Sequence, residues 1–181
     1  MSAAASIDLP PWAVAGEKRR AHIARVTALL DHWARALKLT DAARAAWRDA
    51  GRFHDALRDA PEPLLRQLTG DRITAAALLH GPAAAVKLET EGDERIDVLE
   101  AVRWHTVGSK DWARTGRALF MADFLEPGRR FDREIRAELA ADVPDDFDGT
   151  FRRVVQNRIA WTLREGRPLD AATSRLWDSV K

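Results

Sequence analysis

The 181-residue chain contains no cysteine. That absence excludes disulfides, zinc–thiolate centres and a cysteine nucleophile. Net charge is nearly absent too. The 29 lysines and arginines against 28 aspartates and glutamates leave +1, and no global basic field for nucleic acid. The opening MSAAASIDLPPWAVAGEKRR has no charged n-region followed by an apolar stretch, so no signal peptide is read there. No apolar run approaches the length that spans a bilayer. The expectation is a cytoplasmic protein that engages neither membrane nor nucleic acid. Strand signals are scarce, because Val and Ile are scattered and no stretch alternates cleanly. Internal repeats, low-complexity tracts and dividing linkers are missing as well.

What remains is helical spacing. Hydrophobic residues make up 46% and charged residues 31%, a globular profile whose length suits one domain with a sizeable core. Ile23, Val26, Leu29, Leu30, Trp33 and Leu37 step by three and four. Thr40 reads as the N-cap of a helix whose Ala43, Trp47, Ala50, His54 and Leu57 form one stripe, closed by Pro61 and Pro63. A short helix then ends at Gly70, and another opens near Pro82, where a missing N–H costs nothing. Further helices are capped near Asp93, stop at Pro127, and cover FDREIRAELAA, DGTFRRVVQNRIAWTLREG and DAATSRLWDSV. The segment DVPDDFDG is expected to be a loop. The prediction is an all-α protein with an N-terminal extension over 1–17 and a single helical domain over 18–181, built of seven to nine helices.

The histidines fall on the inward faces. His22 lies four residues before Val26 on its buried stripe, and His54 lies on the next. Asp55 is rotated roughly 100° from His54, at the edge of the same stripe. His80 precedes a helix start, and His105 lies three after Val102. Asp123 lies four after Leu119 and three after Phe120. His32 falls about 80° off the line of His22 and is set aside. A lone histidine on an apolar face is usually a core residue satisfied by one hydrogen bond. An inward carboxylate stripped of its partner costs on the order of 3–5 kcal/mol, though an arginine could pair either aspartate. Four of five histidines and two aspartates on different helices are explained together by a divalent cation. Neutral imidazole and ionised carboxylate are ordinary ligands for iron, manganese, zinc or nickel.

A histidine, then His-Asp, then a later aspartate resembles the signature of the HD superfamily of metal-dependent phosphohydrolases. RRAHIARV, FHDALRD, LLHGPAAA, VRWHTVGS, MADFLEPGRR and LREGRPLDAAT resemble, in order, the blocks of one branch, the YqeK family of symmetrical bis(5′-nucleosyl)-tetraphosphatases. The resemblance runs from about Lys18 to about Asp178. It implies an HD-type helical bundle that splits diadenosine tetraphosphate into two ADP with one or two bound metal ions. Iron is the expected metal, with manganese, cobalt, zinc and nickel as alternatives. It implies His22, His54, Asp55 and Asp123 as metal ligands, and His80 and His105 as ligands of a second metal or contacts to substrate phosphate. Arg19, Arg58 and Arg129 match positions near the nucleotide. Arg58 stands where the family pattern has lysine, and HGPAAA lacks a glycine common after the proline. The stretch between the His-Asp pair and His80 is short.

The chemistry can also be argued from the residues. A phosphoanhydride is protected by its own negative charge; a divalent metal offsets that charge and brings the pKa of a bound water toward neutrality. The resulting hydroxide attacks phosphorus. Asp55 is placed to bridge two metals, or to bind one and orient the water. Arg58 and Arg129 are planar donors suited to phosphate. Trp104 and Trp112 are expected in the core rather than stacked on a base, and Thr106 and Gly108 in the turn that ends a helix. Two other readings stay open: an HD phosphohydrolase of a mononucleotide or guanosine alarmone, and a non-catalytic module that binds metal or nucleotide. Exposed apolar positions on the C-terminal helices offer a surface for a homodimer.

Overall fold

The computed structural model describes residues 7–181, in which nine α-helices and one short 3-10 turn make up the regular structure. In order they are α1 Glu17–Ala36, α2 Asp41–Phe53, α3 Glu62–Thr69, the 3-10 turn Ala76–Leu78, α4 His80–Thr90, α5 Ile96–Trp104, α6 Arg114–Leu125, α7 Arg133–Asp142, α8 Phe147–Arg164 and α9 Ala171–Val180. Among the described residues there is no strand. None of the helices is long and apolar enough to cross a membrane.

Local chemistry sets most of the boundaries. Thr40 caps α2 as expected, its Oγ1 accepting from the Ala43 amide at 3.3 Å. Gly70 ends α3 with φ of 68°, a left-handed cap that suits glycine. Two boundaries differ from expectation. Asp93 does not cap α5; its Oδ1 accepts from the Arg95 amide at 3.0 Å in a turn just before the helix. The DVPDDFDG loop is shorter than expected, because the Asp146 carboxylate accepts from Gly149 at 3.0 Å and starts α8 at Phe147.

A third difference matters for function. The helix after Thr40 ends at Phe53, well short of Pro61. The chain then tightens into turns, with Ala56, Arg58 and Ala60 amides donating to Phe53, Asp55 and Leu57 carbonyls. His54 and Asp55 are both buried there. The N-terminal segment clamps this run: Val14 N donates to Ala56 O, Asp59 N to Val14 O, and Gly16 N to Asp59 Oδ2. Residues 1–6 of the expected extension lie outside the described residues.

Two close approaches position the site. A four-residue link turns α2 back along α1, and Gly51 lets them touch: a Cβ there would meet Leu30 Cδ1 at 2.8 Å and Thr27 Cα at 3.1 Å. Gly81 does the same between α4 and the end of α5, where a Cβ would meet the Val102 carbonyl oxygen at 2.7 Å. Helix α6 is buried without a break from Ala118 to Leu125, a stretch in which Asp123 is the single charged residue. Trp33, Trp47, Phe120 and Phe151 fill the surrounding core, and Trp112 joins them as expected. Trp104 does not. It stands 37% exposed, its Nε1 donating to Glu100 Oε2 at 3.0 Å. It lies at the last residue of α5, where the helix surface turns from the core to solvent.

Candidate metal centre

Five segments bring six buried side chains together. His22 comes from α1, His54 and Asp55 from the turn after α2, and His80 from the first residue of α4. His105 follows α5, and Asp123 comes from buried α6. They form two trios whose ligand atoms are mutually close, His22–His54–Asp123 and Asp55–His80–His105. His22 Nε2 lies 3.3 Å from His54 Nε2 and 3.2 Å from Asp123 Oδ1. His80 Nε2 lies 3.1 Å from both His105 Nε2 and Asp55 Oδ1. Asp55 joins the trios, because its Oδ2 is 3.6 and 3.7 Å from His22 and His54 while its Oδ1 faces His80 and His105. His32 is exposed on α1 and takes no part.

The proton assignments decide what this cluster can hold. His54, His80 and His105 each donate Nδ1–H to the carbonyl three residues earlier: Gly51 at 2.8 Å, Ala77 at 3.0 Å and Val102 at 2.8 Å. A neutral ring with its hydrogen on Nδ1 turns a lone pair at Nε2 into the cluster. Burial pushes His54 down to about 3, and burial lowers His80 as well, so both rings are neutral near pH 7. Acceptors therefore face acceptors: Nε2 against Nε2 and against Asp55 Oδ1. The Thr106 hydroxyl, 3.4 and 3.2 Å from the His80 and His105 Nε2 atoms, has a single hydrogen to share between them. Converging imidazole nitrogens and carboxylate oxygens with so few hydrogens between them suit a divalent cation with nitrogen and oxygen ligands.

His22 is held differently. Its Nδ1 donates to Glu126 Oε1 at 3.2 Å. Burial works to lower its pKa, but hydrogen bonds to Asp123 and Glu126 and the charges of Asp123 and Asp55 raise it to about 9. Glu126 is buried and grips Arg25 Nε and the Gly128 amide, 2.5 and 2.7 Å away. Burial opposes ionisation of Asp123, yet the Arg129 guanidinium and His22 hold its carboxyl well below the usual range. Buried Arg136 fastens the segment that carries Glu126 and Arg129, donating to the Phe124, Glu126, Arg129 and Phe131 carbonyls.

Cations surround the trios. Arg19 Nη1 lies 2.5 Å from Asp55 Oδ2, and Arg129 Nη2 lies 2.5 Å from Asp123 Oδ1. Arg58 is half-buried, with no carboxylate partner among the described residues. Its charge faces His80. Lys18, Arg19, Arg25 and Arg129 line an open cleft of about 490 Å³ that reaches His22. Sequence reasoning missed Glu126, Arg25 and Arg158, and gave Thr106 only a place in a turn. Arg158 Nη1 is 3.4 Å from Asp123 Oδ2, and its Nη2 donates to the Thr106 carbonyl at 2.9 Å. Two signals for these residues were in the sequence. Glu126 sits three residues after Asp123, and Arg158 lies four after Val154 on the buried stripe of α8.

Comparisons with known proteins bear on the fold and on what the chain is similar to. The fold superposes with a TM-score of 0.78 on the crystal structure of a "predicted HD superfamily hydrolase involved in NAD metabolism" from Clostridium acetobutylicum. The superposition covers 91% of this chain and 89% of that one at 24% identity, so the fold is the helical HD fold. Among curated proteins the chain is similar to symmetrical bis(5′-nucleosyl)-tetraphosphatases. It is 28% identical over 125 residues to a symmetrical bis(5′-nucleosyl)-tetraphosphatase of Halalkalibacterium halodurans, and 24% identical over 125 residues to that of Bacillus subtilis. Those stretches cover 65% of this chain and 66% of the length of each relative. A stretch of 53 residues is 42% identical to the Staphylococcus aureus protein of the same name, 27% of its length. No family model matches the chain.

Proposed function

We propose that this protein is a cytoplasmic, divalent-metal-dependent phosphohydrolase that cleaves diadenosine tetraphosphate symmetrically into two ADP. The observation that carries the metal dependence is the convergence of the His54, His80 and His105 Nε2 atoms on the oxygens of Asp55, beside the His22–Asp123 pair. The names of the relatives support the substrate and the symmetry of cleavage. Iron is the metal the family resemblance favours.

In this reading His22, His54 and Asp123 would hold one ion, and Asp55, His80 and His105 would hold a second where two are bound. A divalent cation there offsets phosphate charge and acidifies water. The remaining work belongs to the chain. The Gly51, Ala77 and Val102 carbonyls lock three imidazoles in the tautomer that offers Nε2. Arg129 and Arg158 fix the Asp123 carboxylate and direct further N–H groups at substrate phosphate, and Arg19 does the same from Asp55. Arg58, with no carboxylate of its own among the described residues, is a phosphate ligand beside His80. Hydrolysis of the central anhydride adds one water. Its oxygen joins one inner phosphorus, and the bridging oxygen departs with the other ADP.

The test is anaerobic loading with Fe²⁺, Mn²⁺ or Co²⁺, followed by chromatography of the products from diadenosine tetraphosphate. ADP alone is expected. ATP with AMP, or no turnover with any of the three metals, would sink the reading.

A further inference from the structure

The site has two unlike approaches. The cleft at the His22 end is lined only by ionisable side chains. It offers phosphate good partners and a nucleobase no face. At the His80–His105 end, two hollows of about 370 Å³ each share Leu78, Thr106, Val107 and Asp170 and so form one groove. Leu79, Pro82 and Val86 give it apolar walls on the Trp104 side. Polar groups are interspersed with them, Arg103, Arg158 and Arg167 among these, and such a mixed surface suits a nucleoside. The groove reaches the cluster through Thr106, whose hydroxyl lies 3.2 Å from His105 Nε2.

Its aromatic residues differ in what they can offer. Trp161 is stacked on Phe131 at 4.9 Å and 19°, with the Arg167 guanidinium 5.3 Å from its ring. Trp104 has its edge pinned to Glu100, and among the described residues no aromatic ring or guanidinium lies over it. A base stacked on such a pinned indole loses little side-chain freedom. Asp170 caps α9 by accepting from Ala172 N at 2.7 Å through Oδ1. Its second oxygen has no partner among the described residues and is an acceptor for a ribose hydroxyl or an exocyclic amine.

Resting on the phosphohydrolase reading, we infer that this groove takes one nucleoside of the substrate, stacked on Trp104, while the cationic cleft takes polyphosphate alone. The enzyme then grips its substrate by one end, and reads the rest as charge.

ADP and inorganic pyrophosphate separate the two subsites, since they share a diphosphate and differ by the nucleoside. Calorimetric titration of the wild-type protein should give tighter binding of ADP. Trp104→Ala should weaken ADP by about tenfold, the scale of one base–aromatic stack, and leave pyrophosphate unchanged. Trp104→Phe should restore most of the loss, and Asp170→Asn, which keeps the helix cap, should weaken ADP only. On diadenosine tetraphosphate the loss should fall on KM rather than kcat. Equal weakening of ADP and pyrophosphate, or of neither, overturns the inference. If the dinucleotide is split but KM ignores Trp104, the inference fails while the phosphohydrolase reading stands. If no dinucleotide is split and ADP binding still depends on Trp104, the reading fails and the groove stands.

Discussion

The two trios contain the same kinds of donor and are supported in opposite ways. His22 leans on a carboxylate, Glu126, which Arg25 and the Gly128 amide hold in turn. Asp123 beside it is flanked by Arg129 and Arg158. Side chains and charge hold these two residues, while His54 leans on the Gly51 carbonyl, and that half opens on a cationic cleft. In the other half both imidazoles lean on main-chain carbonyls, Ala77 and Val102, and the opening is a groove with apolar walls. A carboxylate behind an imidazole makes it a more basic ligand than a carbonyl does. The difference implies that the first half can be tuned by single side chains. In the second the imidazoles follow how α4 and α5 pack, and Asp55 follows its partner Arg19.

Asp55 belongs to both halves, so its removal should erase the distinction. Asp55→Ala is expected to lower hydrolysis by at least about 10²–10³-fold, the scale of losing one group that stabilises charge. Metal content should fall in both trios with the helical circular dichroism retained. Unchanged turnover would remove Asp55 from the mechanism. Glu126→Gln comes next in size and should keep the trios distinct. Metal affinity at the His22 trio should drop by about 10–100-fold, the usual cost of altering a group behind a ligand. The Asp55 trio should be spared. A Co²⁺ titration followed by absorbance resolves the two steps, and a uniform weakening of both would contradict the asymmetry.

Much of this was legible before any coordinates. The three- and four-residue spacing placed His22, His54 and Asp123 inward, and Thr40 and Gly70 marked true helix ends. The period reports which side of a helix faces the core, but not which neighbour it meets there. The spacing alone therefore did not give the division into trios; the family resemblance set His80 and His105 apart as ligands of a second metal or contacts to phosphate, but did not fix the grouping of Asp55 with them. The end of α2 was hidden for another reason. Residues 54–59 keep a helix-compatible composition, and only the clamp from Val14 and Gly16 shows why the chain tightens into turns. Arg158 was obscured by number, since arginines are common in this chain and most serve the surface. Trp104 was misplaced because an indole near a helix end is apolar enough for the core, and only exposure distinguishes the two.

Two smaller effects probe the second trio and the boundary of the site. Gly81→Ala places a Cβ 2.7 Å from the Val102 oxygen and 3.1 Å from His105 Cε1, where neither backbone can yield without moving an imidazole. The expected cost is about 1–3 kcal/mol in a denaturant melt, with metal affinity lost at the Asp55 trio alone. His32→Ala should do least. His32 shares α1 with His22 but points to solvent, so stability should stay within about 0.5 kcal/mol and metal content and hydrolysis should match wild type. The value of that variant lies in the contrast. If its loss lowered metal content, histidine number rather than inward geometry would govern binding. The two-trio description would then have to yield to a looser, surface-assisted site.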